Sequence, residues 1–286
     1  PPPAVGRPAA VRGRAGWHGL RGPGAGWPPG RRLPPGAAAA DFGARRAPSA
    51  LPLGGERPHN PAPSAPARPR PHPMDLAQLR RDYSLHGLAE HELSPDPLSM
   101  FARWLSQAVE AAVPEPNAMT LATVDAEGQP RARIVLLKAL DARGLTWFTS
   151  YDSDKGRELA AAPRAALLFF WAELERQVRI EGSVSRLSAA ESDAYFESRP
   201  RESRLAAWAS PQSRLLASRA QLEARLAEVQ QRFPAGAEVP RPPNWGGFLL
   251  TPERFEFWQG RPARLHDRLV YRPAEGGHWR IERLGP

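Results

Sequence analysis

The 286-residue sequence contains no cysteine, which excludes disulfide bonds and thiolate metal sites and suits a reducing compartment. Long apolar runs are missing too. The longest, 165–172, is far shorter than the roughly 20 residues that a membrane-spanning helix needs. We therefore expect a cytoplasmic protein that stays outside the membrane.

Lysine is almost absent: Lys138 and Lys155 stand beside 37 arginines. Where arginine fills most cationic roles, a position that keeps lysine is a candidate for a compact ammonium group. The alternative is that both lysines survive by chance at solvated sites.

The net charge of +9 lies entirely in residues 1–73, which hold 11 arginines, two acids and 18 of the 34 prolines. This composition predicts a disordered tail. Two interpretations of residues 1–73 are open: a transit peptide, or upstream sequence translated in front of Met74. Residues 74–286 carry 28 basic and 28 acidic side chains, which argues against binding to nucleic acid. We expect these residues to form one domain.

Apolar periodicity and turn residues predict an α+β domain in which short strands form an antiparallel sheet or barrel with flanking helices. Asp96-Pro97 is a typical helix start, and Ser188 with Glu191 forms a capping box. The predicted helices are 75–83, 97–113, 153–161, 188–198 and 215–233. The predicted strands are 118–124, 131–140, 145–150, 165–171, 177–187, 245–250, 254–259, 269–272 and 278–284.

Common signatures of phosphate loops, nucleophile elbows and zinc proteases do not occur, and the histidines of 74–286 lack metal-ligand spacing, so we expect no metal site. A cofactor would have to bind to strands and side-chain cations. Lys155 and Ser153 lie at a predicted helix start, where a phosphate can dock. Arg131 and Arg133 precede an apolar strand that ends at Lys138. The alternatives are a solvated helix start and an ordinary charged edge strand.

Two further sets of residues are candidates for ligand contacts. Alternation in an extended segment would place Arg264, His266 and Arg268 on one face, which favours an anion or an electron-rich ring; ion pairs through Asp267 and Glu256 are the alternative. Tyr195, Arg199 and Ser203 are four residues apart and would share a helix face as a phosphate clamp, provided that the helix continues past Pro200. Gln212-Ser213 are alternatively a simple helix cap.

Several strings together resemble the pyridoxamine 5′-phosphate oxidase family, from about Leu79 to the C-terminus. They are LRRDY (79–83), DPLSMFARWLSQA (96–108), RIVLLK (133–138), LERQV (174–178), YFESRPRES (195–203), AWASPQS (207–213), WGGF (245–248), EFWQG (256–260) and RLHDR (264–268).

The resemblance implies an FMN-binding split β-barrel, antiparallel and Greek-key-like, in a homodimer with sites at the subunit interface. It also implies FMN-dependent oxidation of pyridoxamine and pyridoxine 5′-phosphates to pyridoxal 5′-phosphate in vitamin B6 biosynthesis and salvage. Oxygen is the acceptor, and the products include H2O2 and, from the amine, NH3.

The resemblance also implies site residues. FMN would contact Arg133, Ile134, Val135, Leu136, Leu137, Lys138, Phe148, Thr149, Lys155, Gln177, Trp258 and Arg268, with Gln212 and Ser213 reaching the FMN of the other subunit. The substrate phosphate would contact Lys138, Tyr195, Arg199 and Ser203. Arg264 and His266 would lie against the pyridine ring as the catalytic pair, and Arg80 and Tyr83 would belong to an N-terminal lid.

Two positions depart from the family pattern. Phe148 stands where tyrosine is common, and Asp154 stands where a basic residue commonly precedes the lysine. An acid at 154 would oppose a phosphate unless its side chain points away. The competing hypotheses are another flavin or deazaflavin oxidoreductase on the same fold and a non-enzymatic protein that binds pyridoxal phosphate or FMN.

Overall fold

The computed structural model describes residues 82–85 and 87–286, so the predicted tail 1–73 and Arg80 lie outside the described residues. The described chain contains five α-helices: α1 (Pro97–Glu110), α2 (Asp154–Ala161), α3 (Ala189–Ser198), α4 (Arg201–Ala209) and α5 (Arg219–Arg232). Its nine strands are β1 (Ala118–Val124), β2 (Pro130–Leu136), β3 (Ala139–Asp141), β4 (Gly144–Ser150), β5 (Arg164–Trp171), β6 (Arg176–Arg186), β7 (Trp245–Gln259), β8 (Asp267–Pro273) and β9 (Trp279–Arg283).

All strand pairs are antiparallel, and the main path of the sheet runs β2-β1-β5-β6-β7-β4-β3. The long strand β7 organises this sheet. It pairs with β6 along most of its length, while its first half also pairs with β4 and its second half with β8. The register of β6 against β7 shifts between Glu181 and Gly182, where Glu253 of β7 has no register partner in β6, and such a β-bulge bends the strand pair. Gly182 is required there, because a Cβ atom would lie 2.0 Å from the Thr251 carbonyl oxygen.

The core lies between α1 and the concave face of the sheet. Asp96 caps α1 by accepting hydrogen bonds from the backbone N–H groups of Leu98 and Ser99, and Pro97 occupies the first turn, as predicted. Phe101 and Trp104 of α1 are buried and contact aromatic side chains of the sheet, including Phe257. Burial of these large aromatic rings stabilises the packing of α1 against the sheet.

A second, smaller cluster joins α3, α4 and α5 to β7. Phe196 of α3, Leu205 of α4 and Trp245 of β7 are buried together, and Val229 of α5 packs against them. Within the described residues, no helix is long and apolar enough to cross a membrane.

Some boundaries differ from the prediction for tertiary reasons. The predicted strand 131–140 is two strands, because the backbone N–H of Leu137 still bonds to Asn117 of the β1 side while that of Lys138 bonds to Thr146 of β4. The predicted strands 245–250 and 254–259 are the single strand β7. Helix α5 begins at Arg219, and Leu215 before it is fully exposed.

Two further helix predictions need correction. The described part of the predicted helix 75–83, residues 82 and 83, is not helical; the rest lies outside the described residues. Helix α4 was not predicted, because Pro200 and Pro211 bracket only a few helix-compatible residues with a weak apolar pattern.

Candidate functional site

A cavity of about 810 Å³, the charged cavity, lies between β2, the turn that precedes β2, α2 and Ser213. Its cationic lining residues are Arg131, Arg133, Lys155 and Arg157, and its acidic ones are Asp125, Glu127, Asp154 and Glu158. The predicted helix start and the predicted basic strand therefore meet at one place.

Lys155 is the most enclosed cation of the cavity, with 8% of its surface exposed. Ser153 caps α2 by accepting a hydrogen bond from the Gly156 N–H. The Lys155 Nζ lies 3.4 Å from the hydroxyl oxygens of both Ser153 and Thr149. Burial, followed by the positive charge of Arg133, lowers the pKa of Lys155. An ammonium group in this position lacks the full counter-charge that an anion would supply.

Arg133 is fixed by three acceptors. Its guanidinium forms a 2.8 Å ion pair with Glu158 and donates to the Leu121 carbonyl oxygen at 3.2 Å and to the Thr123 hydroxyl. Asp154, the unusual acid, is directed to Arg157 in an exposed ion pair of 2.5 Å. Both residues also line the cavity.

Ser213 borders the same cavity within its own chain, whereas Gln212 lines a second cavity beside Ser150 and Trp208. The Gln212 side-chain oxygen accepts hydrogen bonds from the Thr149 hydroxyl at 2.9 Å and from the Ser150 N–H at 3.2 Å. Ser213 has a positive φ of 65°, which favours glycine, and it lines the cavity. Neither residue caps a helix, since α5 is capped by Ser218.

The strand that follows Arg133 presents its side chains unevenly. Ile134 is 67% exposed on the edge strand β2, whereas Leu137 is buried in the core. Val135 and Leu136 are half-buried, and Lys138 is exposed beside β3. A flat ligand could therefore reach only part of this strand through its side chains.

An aromatic clamp lies at the junction of α3, β4 and β7. The Phe148 and Tyr195 rings stack at a centroid distance of 3.7 Å, and Trp245 lies nearly parallel to both. The Arg199 guanidinium lies 4.6 Å from the Trp245 centroid, and its Nη1 is buried without a hydrogen-bond partner among the described residues. Burial lowers the pKa of Arg199 and raises that of Tyr195. A buried guanidinium nitrogen without a hydrogen-bond partner costs free energy, and it indicates a binding site for an anion.

The single helix face that would join Tyr195, Arg199 and Ser203 does not exist. Helix α3 ends at Ser198, Arg199 is its extended C-cap, and α4 begins after Pro200. Tyr195 and Arg199 still meet at Trp245, while Ser203 is half-buried in the first turn of α4. The aromatic clamp therefore forms where α3 ends, and not on one continuous helix face.

A third cluster lies at the other end of β7. The Tyr83 ring packs edge-on against Trp258 and His266, each at a centroid distance of 5.5 Å, and these two rings are 4.7 Å apart. Gln177 pairs with Trp258 across β6 and β7. The His266 Nδ1 accepts a hydrogen bond from the Arg261 N–H at 3.1 Å, which orients the imidazole.

The prediction that Arg264, His266 and Arg268 share one face of an extended segment is wrong. Arg264 is exposed in a 3₁₀ turn with a φ of 61°, and β8 begins only at Asp267. Arg268 donates to the buried Glu256 and to the Gly285 carbonyl oxygen. The ion-pair alternative thus describes Arg268.

Two buried carboxylates hold these cations; sequence patterns missed Glu158, whereas Glu256 was named as an ion-pair alternative. Glu158 binds Arg133, and Glu256 binds Arg179, Arg254 and Arg268. The spacing of Glu158 three residues after Lys155 was an available signal, since such residues share a helix face. Within the described residues, no cluster of His, Asp and Glu is arranged to hold a metal ion.

Comparison with known proteins agrees with this architecture. The family model described as pyridoxamine 5′-phosphate oxidase matches residues 105–233, and that described as the pyridoxine 5′-phosphate oxidase C-terminal dimerisation region matches 245–286. The chain is 60% identical over 211 residues to the pyridoxine/pyridoxamine 5′-phosphate oxidase of Cupriavidus necator, which covers 74% of this chain and 99% of that protein. The protein of the same name from Thermosynechococcus vestitus is 61% identical over the same shares of both chains.

The chain belongs to the pyridoxamine 5′-phosphate oxidase family. Its members in these comparisons are named as oxidases, and the chain is accordingly an oxidoreductase. The family resemblance inferred from the sequence strings is confirmed. The first matched region contains the charged cavity and Phe148, Tyr195 and Arg199 of the aromatic clamp, and the second contains Trp245, Trp258, Arg264, His266 and Arg268.

Solved structures confirm the predicted fold. PhzG from Burkholderia lata 383, in complex with tetrahydrophenazine-1-carboxylic acid, is 32% identical and has a TM-score of 0.66, covering 72% of this chain and 100% of its own. An FMN-binding protein from Nostoc punctiforme related to pyridoxamine 5′-phosphate oxidase has a TM-score of 0.55 at 18% identity, covering 68% of this chain and 100% of its own. The α+β fold is therefore the split barrel of this family.

Proposed function

We propose that this chain is an FMN-dependent pyridoxamine/pyridoxine 5′-phosphate oxidase that produces pyridoxal 5′-phosphate in vitamin B6 biosynthesis and salvage. The acceptor is O2, and the products include H2O2 and, from the amine substrate, NH3. One observation carries the proposal: Lys155 and Arg133 converge on a cavity at a helix start, in a chain that matches named oxidases over 99% of their length.

Lys155 and Arg133 of the charged cavity fit the phosphate of FMN. The buried Lys155 ammonium has two hydroxyl neighbours at 3.4 Å and no carboxylate within hydrogen-bonding distance among the described residues. The N-terminus of α2 adds backbone N–H groups that favour an anion. Lys155, Arg133 and Thr149 would hold the phosphate.

The remaining predicted cofactor contacts would come from strands that end near these groups. The strand Ile134, Val135, Leu136, Leu137 and Lys138, with Phe148, Gln177, Trp258 and Arg268, would surround the ring system. Gln212 and Ser213 would reach the FMN of the other subunit. Arg268 also binds Glu256, so it would approach FMN while already held in a fixed orientation. Bound FMN supplies the redox chemistry by accepting a hydride equivalent from the substrate and passing electrons to O2.

The chain's own residues bind and orient the substrate. Arg199 and Tyr195 would hold its phosphate, with Lys138 and Ser203 as further contacts. Arg264 and His266 would face the pyridine ring, and Tyr83 would cover it together with Arg80. Such positioning can contribute on the order of 7–11 kcal/mol at its upper limit, with binding energy from the remote phosphate used for alignment of the reacting carbon.

We also propose that two copies form a homodimer. The matched C-terminal region is described as a dimerisation region in its family. In addition, Ile134 and Phe170 are 67% and 56% exposed, and the strand register places both on one face of the sheet, since Ile134, Thr120 and Leu168 lie opposite one another. An apolar face of this kind suits a second copy.

Absorbance spectroscopy and oxygen uptake test the proposed reaction. The purified full chain should show the flavin spectrum, and anaerobic pyridoxamine 5′-phosphate should bleach it. Air should restore the colour and yield H2O2. A protein that binds FMN but leaves it oxidised with either phosphorylated substrate would refute the oxidase proposal and favour a non-enzymatic binding protein.

One alternative has a specific observation behind it. The fold similarity to PhzG allows another flavin oxidoreductase whose ligand carries a carboxylate instead of a phosphate ester. The unpaired buried Nη1 of Arg199 suits either anion. Comparing turnover of pyridoxamine 5′-phosphate with turnover of unphosphorylated pyridoxamine separates the two, since only a phosphate clamp makes the ester group essential.

A further inference from the structure

Four carboxylates line the charged cavity, and Glu158 is the most buried of them. Glu158 lines this cavity beside Arg133 and Lys155, and only 7% of its surface is exposed. A negative charge at this position opposes the binding of a phosphate by simple repulsion. Its presence therefore requires a contribution that outweighs the repulsion.

The contacts of Glu158 supply that contribution. Its Oε2 forms the 2.8 Å ion pair with Arg133 and also accepts a hydrogen bond from the Thr123 hydroxyl. The Thr123 oxygen in turn accepts from the other terminal nitrogen of Arg133. Both terminal nitrogens of the Arg133 guanidinium are thus held. Arg133, Glu158 and Thr123 form a closed hydrogen-bonded triad, and the Leu121 carbonyl oxygen also accepts a hydrogen bond from Arg133.

We infer that Glu158 is a positioning residue: through the Arg133–Glu158–Thr123 triad it fixes the Arg133 guanidinium for the phosphate of a bound flavin nucleotide. This inference rests on the proposed function of the cavity. A free arginine side chain loses rotamer freedom when it binds an anion, whereas one already fixed by the protein does not. The carboxylate also favours the charged form of Lys155, which the neighbouring Arg133 disfavours.

The ratio of riboflavin to FMN dissociation constants measures what the phosphate contributes. Both can be determined with the apoprotein by quenching of flavin fluorescence, without any turnover. In Glu158→Ala the preference for FMN should fall on the order of tenfold, because immobilising one such side chain is worth about this much. In Glu158→Gln, whose amide oxygen still accepts from Arg133, the preference should stay within about threefold of the wild type.

Glu127→Ala is the matched control. Glu127 lines the same cavity but is exposed and does not bind Arg133 among the contacts of the described residues. If Glu158 acted only through its charge, both alanine variants would bind FMN more tightly relative to riboflavin. Opposite responses of the two variants support positioning, and an unchanged or increased preference in Glu158→Ala overturns it.

A folding defect does not remove the test. If Glu158→Ala fails to fold, Glu158→Asp decides, because the shorter side chain keeps the negative charge but withdraws the carboxylate from its 2.8 Å contact with Arg133. A reduced FMN preference in that variant supports the inference, and a wild-type preference refutes it. Equal wild-type affinities for FMN and riboflavin would instead refute the proposed phosphate site itself.

Discussion

Replacement of Lys155 by methionine should change stability and cofactor binding in opposite directions. The ammonium is 8% exposed, has only hydroxyl neighbours at 3.4 Å and lies near Arg133, so burial of its charge costs free energy in the apoprotein. Methionine has a similar shape and no charge. We expect the apoprotein to become more stable by about 1 kcal/mol, which corresponds to a Tm increase of roughly 2–4 °C for a domain of this size.

The same change should weaken FMN binding. A hydrogen bond between two charged groups contributes about 1.5–3 kcal/mol, so the Kd should rise roughly 10- to 150-fold. The Kd for riboflavin, which lacks the phosphate, should hardly change. Flavin fluorescence titrations and thermal unfolding of the apoprotein measure both effects.

The pH dependence of the stability gain follows from the lowered pKa of Lys155. Between this lowered pKa and the ordinary value for lysine, the unfolded wild type binds more protons than the folded one, so wild-type stability rises with pH. The advantage of Lys155→Met is therefore complete below the lowered pKa and shrinks as the pH rises through this window. Lys138→Met, at the other, exposed lysine, is the control for stability and should leave Tm unchanged. A less stable apoprotein with unaltered FMN affinity would refute the assignment.

Three further predictions concern the clamp, the ring contacts and the buried ion pairs. In oxygen-uptake assays, Arg199→Ala should mainly raise KM for phosphorylated substrates, whereas Arg264→Ala should also lower kcat; equal, small effects would contradict these roles. Phe148→Ala should raise KM severalfold by releasing the stacked Tyr195, worth about 0.5–1.5 kcal/mol, and Phe148→Tyr should restore it; no change in KM would show that the stack is dispensable. Glu256→Ala leaves three guanidinium groups without their buried acceptor and should cost about 3–5 kcal/mol in urea unfolding; a loss below about 1 kcal/mol would show that solvent replaces the carboxylate.

Local chemistry made much of the fold predictable. Asp96-Pro97 and the Ser188–Glu191 box define helix starts through their own hydrogen bonds, and the alternation of 118–124 matches β1 residue for residue. These signals need no information from distant parts of the chain. The division of 131–140 does need it, because β2 and β3 differ only in the strand with which each pairs.

The same distinction between local signals and contacts with distant parts of the chain applies to the site residues. Ser153 and Lys155 were recognisable from a helix start alone. The turn at Arg264 has a positive φ that its side chain does not encode, so alternation failed there. The residues that hold Arg133 come from α2 and β1, and only the folded sheet brings them together.

The length of β7 has a consequence for how a working site can be assembled. Trp245 of the aromatic clamp and Trp258 beside His266 are 13 residues apart on this strand, which is roughly 43 Å along its path. The aromatic clamp and the ring contacts thus lie at opposite ends of β7, and we propose that a single chain offers two half-sites. In the proposed homodimer, one copy would donate the phosphate-binding half and the other the ring-binding half. Two inactive proteins, one damaged at Arg199 and one at Arg264, should then regain part of their activity when their subunits exchange.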